Sequence, residues 1–230
     1  MAQKLPEHHE IEPLTRTQVL VAMGVTAIML LAVGKLWLLF GSVSLLPVKL
    51  IGMDLLKGCA LGLAITGGSA IVYHLWPRYR RSADVYLEVV LKPLFWPDLI
   101  WLGLLPGLSE ELLFRGVMLS ALGLNVTGLV LSSFCFGILH LGGMDQWPYA
   151  VWATAVGLLL GYSVLATGNL LVPITAHICT NLISSCVWKW EHNAVKRKDR
   201  WISTIKRAIE IASNAIVPGE VRSFFRLAAT

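Results

Sequence analysis

Three short stretches of this 230-residue chain place ionisable side chains within otherwise apolar sequence. The first is Ser109-Glu110-Glu111-Leu112-Leu113-Phe114-Arg115. Glu111 and Arg115 stand four apart, acid before base, the order in which a helix pairs them best. Glu110 is turned by about 100° from Glu111 on a helix, so it need not share that partner and can face a different cavity. The second stretch is Phe136-Gly137-Ile138-Leu139-His140, where a histidine closes an apolar run on the same helix face as Phe136. The third is His177-Ile178-Cys179-Thr180-Asn181, with an imidazole and an amide on one face. One acid, two histidines, one amide and a Glu–Arg pair make the inventory of a hydrolytic pocket. A carboxylate can take a proton from attacking water, an imidazole can orient that water and protonate the leaving nitrogen, and fixed donors can hold the oxyanion.

Each stretch also has a plainer account. Charges inside a bilayer are costly, so Glu111 and Arg115 read first as a structural pair. A single histidine such as His140 serves ordinary hydrogen bonding equally well. His177 and Asn181 could simply join two helices. His140, His177 and a glutamate could instead bind zinc, although no HExxH motif is present and the two glutamates are adjacent. A serine nucleophile at Ser109 fits poorly, because Glu110 stands where a glycine is expected; helix capping, with a half-helix beginning near Ser109, explains it better. A non-catalytic membrane scaffold or immunity factor could keep the same polar cluster for packing. A transporter would show paired, Gly/Pro-interrupted segments in two matching halves, and none is seen.

The elements that must carry these groups are helices. Apolar runs cover residues 18–40, 50–76, 96–122, 126–141, 148–166 and 170–190. The first run carries Lys35 and no small-residue cleavage site, so it reads as an uncleaved membrane helix. Gly58, Gly62, Gly67 and Gly68 in the second suit close helix packing. A short interfacial helix is expected over 82–91. Pro106-Gly107 should kink or break the third run. The fourth is short for a span of about 20 residues. The expected fold is all-α: a polytopic helical membrane protein of about six spans, with an interfacial helix. Residues 1–17 form a polar tail, 18–190 the membrane domain with its core at 96–190, and 191–230 a basic tail. In that tail Trp201, Ile205, Ala208, Ile209 and Ala212 recur at helical spacing, as in an amphipathic interfacial helix.

Composition agrees. The chain is 56% hydrophobic and 14% charged, against about 45–50% and about 25% in soluble domains; mean hydropathy is +0.67. The net charge of +5 gathers in loops and tail, where it suits anionic lipid headgroups rather than nucleic acid. With the N-terminus in the cytoplasm and six spans, the loop at 78–92 and the basic tail both fall on the cytoplasmic side, as the positive-inside rule favours. Cys59, Cys135, Cys179 and Cys186 sit in apolar sequence without a CxxC pair and read as buried small hydrophobes.

Taken together, Glu110-Glu111-x-x-x-Arg115, Phe136-x-x-x-His140 and His177-x-x-x-Asn181 resemble, in order and approximate separation, the CPBP family of CAAX-processing and bacteriocin-processing membrane proteases, which includes the Ras-converting CAAX endopeptidase. The resemblance covers about residues 96–190. It implies that Glu110 is the catalytic glutamate, with His140 its partner in activating water. It implies that His177 and Asn181 stabilise the oxyanion, and that Glu111 and Arg115 hold the site together. It further implies a membrane-associated peptide or protein substrate, no covalent enzyme intermediate and no cofactor or metal. The six expected spans are fewer than the eight of the CAAX endopeptidases, and nothing marks a prenyl-binding groove.

Overall fold

A computed structural model describes residues 14–216, with the side chains of Glu210 and residues 212–216 excepted. Most of the polar N-terminal tail and the end of the basic tail fall outside the described residues. Among those described there is no strand. The helices are α1 (Arg16–Phe40), α2 (Gly52–Leu75), α3 (Pro77–Leu91), α4 (Leu99–Glu111), α5 (Leu119–Leu122), α6 (Val126–Leu139), α7 (Trp147–Thr167) and α8 (Leu171–Ile216). A π-helical segment, Leu112–Met118, joins α4 to α5, and single 3-10 turns precede α4 and α7.

The protein is an integral membrane protein by the character of these helices. Four stretches are long and apolar enough to cross a bilayer, and five if the pair formed by Pro77–Leu91 and Trp96–Leu122, bent by 111°, counts as one. The expectation of six holds only with α6, whose 14 residues reach about 21 Å at 1.5 Å per residue, short of a hydrocarbon core of about 30 Å. α1 buries only Val19, Ala27 and Gly34, so most of its surface is left to lipid.

Chain contacts divide the protein into a unit of residues 1–186 and a second of residues 187–230. In the second unit Val195, Trp201, Ile209 and Ile211 are exposed. No helix break precedes the basic tail: α8 runs on to Ile216.

Within the first unit, α1 and the α4–α5 run are tied at both ends. At one end Arg16 makes a two-pronged contact with buried Asp98, both prongs 2.7 Å. At the other, Leu46 N–H donates to Gly116 O (3.3 Å) and Ser120 to Ser44 O (3.0 Å). The extended segment holding Ser44 and Leu46 leads to Lys49, whose backbone N–H and carbonyl are both bonded by the Asn169 side chain at 2.8 Å. Asn169 also donates to Asp54 at 2.8 Å, and Lys57 pairs with Asp54 at 2.8 Å. A fully buried amide thus satisfies otherwise costly backbone groups. Of the four glycines noted in α2, Gly58 and Gly62 meet α8: a methyl group on them would come 2.6 Å from Thr175 Cβ and 2.7 Å from Ala176 O. Gly68 faces Trp152 at 3.5 Å, and Gly67 faces open space.

Two local expectations are corrected. Pro106-Gly107 does not break the run, because α4 continues through it to Glu111. Ser109 caps nothing; it lies inside α4 and donates to Leu105 O at 2.7 Å.

Candidate active site

The site begins where α4 crosses α8. Gly103 and Gly107 form a stripe on α4, and a methyl group there would come 2.7 Å from Leu182 Cγ and 2.5 Å from Ile178 Cγ1. The two backbones approach because neither glycine carries a side chain. Glu111 continues the stripe four residues further on, so it meets the helix that bears His177. Glu111 Oε1 accepts from His177 Nδ1 at 2.8 Å and from Arg115 Nη1 at 2.8 Å. Glu111 and Arg115 are both fully buried. Arg115 also donates to Gly157 O on α7 at 3.1 Å, and its guanidinium sits 4.2 Å from the centre of the Phe136 ring on α6. One cation therefore binds the π-helical segment to α4, α6 and α7. A buried charge with that many partners is stable as a set and costly to break, by about 3–5 kcal/mol when one member is removed.

Glu110 stands outside this pair. Its Oε2 lies 3.8 Å from His140 Nε2 and 4.0 Å from His177 Nε2, buried and without a hydrogen bond. Both ring orientations are fixed from behind. His140 caps the C-terminus of α6, and its Nδ1 lies 2.9 Å from Phe136 O. A carbonyl only accepts, so Nδ1 carries the proton and Nε2 turns its lone pair toward Glu110. His177 gives its Nδ1 proton to Glu111, which points its Nε2 the same way. Separations of 3.8 and 4.0 Å are too long for direct hydrogen bonds. They leave room for a water molecule that donates to Glu110 and to one imidazole at a time.

Asn181 occupies a different place. Its amide donates to Leu102 O at 3.4 Å. In a regular helix that carbonyl would be bonded by the N–H of residue 106, which is proline and has none. The amide from α8 fills that gap, which is one reason α4 passes through Pro106 unbroken.

Residues 92–183 match the family model described as Type II CAAX prenyl endopeptidase Rce1-like. This segment is similar to the Rce1-like endopeptidases over about two fifths of the chain. A curated relative, the uncharacterized protein YpbD of Bacillus subtilis (strain 168), is 34% identical over 108 residues, which are 47% of this chain and 54% of that protein. The chain thus spans about half the length of the curated relative it matches. No solved structure matches.

Glu110, Glu111, Arg115, His140, His177 and Asn181 all lie inside the matched segment. The structure brings the first five together and sets Asn181 one helical turn from His177, against the backbone of α4. Among the described residues, no three His, Cys, Asp or Glu side chains are grouped as metal ligands. Three contributors were not read from the sequence. Gly103-x-x-x-Gly107, one turn before Glu111, is a visible small-residue signature of a helix crossing. Gly157 supplies a carbonyl, which no sequence pattern announces. Tyr149 lies with its ring centre 6.1 Å from that of His140, and its place in the sequence gave no hint of this.

Proposed function

We propose that this protein is an intramembrane endopeptidase that hydrolyses a peptide bond in a membrane-associated protein or peptide, using water activated by Glu110 and His140. The observation that carries the reading is the convergence of two imidazole Nε2 atoms on one buried carboxylate oxygen, at 3.8 and 4.0 Å. Glu110 accepts a proton as the water oxygen bonds to the substrate carbonyl carbon. The carbonyl oxygen becomes an oxyanion. His177, having taken a proton from solvent at Nε2 before the substrate binds, donates from Nε2 to the oxyanion while its Nδ1 stays bonded to Glu111, which balances the charge of the imidazolium; this proton stays on His177 throughout. The second amide hydrogen of Asn181 is the other donor. As the carbon–nitrogen bond breaks, the leaving nitrogen takes a proton relayed through His140. The scheme needs no covalent enzyme intermediate and no cofactor. Support comes from the Rce1-like match, whose description is that of an endopeptidase, and from the low exposure of Glu110 and His177. Both termini are cytoplasmic in this reading, with basic loops against anionic headgroups.

The test is cleavage of a peptide library by protein purified in detergent. Glu110→Gln and His140→Ala should each lower the rate by about 10²–10⁴-fold, the usual contribution of an acid–base group, with folded yield unchanged. Chelator should have no effect. Loss of activity on metal removal, restored by zinc, would replace this mechanism with a metal-dependent one. Full activity in Glu110→Gln would end the proposal.

A further inference from the structure

The aromatic rings between α3 and α7 form a stacked wall that reaches toward His140. Tyr79 and Tyr86 are seven apart on α3, two turns along one face. The Tyr149 ring lies between them, stacked on Tyr79 at 6.2 Å and 5° and on Tyr86 at 5.0 Å and 24°. Tyr149 in turn borders His140 at 6.1 Å. Tyr79 is 5% exposed and completes a core with Trp76 and Trp152. Tyr86 holds the equivalent position on the other side of Tyr149 and is 39% exposed. An interfacial belt tyrosine would point its ring away into the headgroups; this one stacks on a ring whose centre lies 6.1 Å from that of His140. α3 is fixed while it presents that ring: Tyr73 donates to Asp84 at 2.6 Å, and Ser82 to Asp145 O at 3.4 Å. A rigid, half-exposed aromatic face with a polar tip is a surface suited to binding, because it offers large contact area at little conformational cost.

We infer that Tyr86 and Tyr149 form a subsite beside the catalytic groups that receives a flat aromatic side chain of the substrate, next to the bond to be cut. The inference rests on the endopeptidase reading and adds its specificity. Tyr79 is the buried ring that holds the wall in place, and Tyr86 is the ring that the substrate covers. The preference therefore depends on an interfacial helix that precedes the Rce1-like match in the sequence, since residues 77–91 lie outside the matched segment.

The test uses paired peptides that differ only in Phe or Ala at the positions flanking the cleaved bond. Wild type should favour Phe at one of them by about tenfold or more in kcat/KM, the scale on which an apolar pocket discriminates. Tyr86→Ala should bring that ratio close to one, chiefly through KM, and Tyr86→Trp should keep it. The ratio is internal to each variant, so a lower overall rate does not obscure it. The same peptides are also measured for binding to Glu110→Gln protein, where the Phe:Ala affinity ratio should collapse on adding Tyr86→Ala. An unchanged ratio in folded Tyr86→Ala protein, or no discrimination by wild type in either assay, overturns the subsite and leaves the endopeptidase standing. Cleavage at the full wild-type rate in Glu110→Gln overturns the endopeptidase mechanism on which the subsite rests.

Discussion

At the scale of single residues, the adjacent glutamates divide the work. Glu111 is fully buried, bonded at 2.8 Å to both Arg115 and His177, and its removal strands a cation. Glu110 has no such partner and only approaches its imidazoles. Arg115→Ala should therefore destabilise the fold by about 3–5 kcal/mol, read as a lowered thermal midpoint in detergent, whereas Glu110→Gln should leave that midpoint in place. Asn181 allows a sharper separation. If its bond to Leu102 O compensates for Pro106, then Asn181→Ala costs stability of about 0.6 kcal/mol, the average for such bonds between membrane helices. Pro106→Ala, by restoring a backbone donor, should recover it in the double variant. Cleavage lost through a missing oxyanion donor, about 10²–10³-fold, would not return with it. Full recovery of both would assign Asn181 a structural role alone. The pairing of Glu111 with Arg115 was legible from the spacing of four. The bond from His177 to Glu111 was not, because it joins residues 66 apart, and nothing in either segment names the other.

At the scale of elements, helix existence followed from apolar runs and their breaks, and the fifth run, expected at 148–166, is α7 at Trp147–Thr167. Expectation failed where a tertiary partner overrode local propensity. Pro106 forfeits a hydrogen bond that α8 returns, so α4 stays whole. The irregularity appears instead in the π-helical segment, where the Gly116 carbonyl accepts from Leu46 N–H. π-Helical turns inside α-helices are frequent at functional sites. The crossing of α4 with α8 depends on Gly103 and Gly107. Gly107→Val would drive a branched side chain into Ile178 and push the helices apart. The expected result is loss of cleavage exceeding that of Gly67→Val, whose site is open, with peptide turnover and folded yield measured for both.

At the scale of the whole molecule, the ties in the first unit sort its segments by side. Arg16 and Asp98 sit at the start of α1 and α4, while Lys49, Asp54 and Asn169 gather near the far end of α1. The proposed orientation puts the first group in the cytoplasm. In a variant whose native cysteines are replaced, Val48→Cys should react with a membrane-impermeant maleimide in intact cells, and Val85→Cys only after permeabilisation. Both side chains are exposed, so the contrast reads the side of the membrane. The reverse pattern would invert the topology.

Sequence alone determined that the chain is helical and membrane-embedded, and which charged residues lie in apolar surroundings, because hydropathy and helical spacing are local properties of a chain. The tertiary structure decided which of those residues meet. Glu110 reaches two imidazoles, Asn181 turns to a carbonyl orphaned by proline, and a tyrosine from α3 comes to the wall beside His140. The physical reason is that contact across helices is set by how closely their backbones approach. That approach depends on glycines at each crossing and on hydrogen bonds between distant segments, neither of which the polar residues themselves encode.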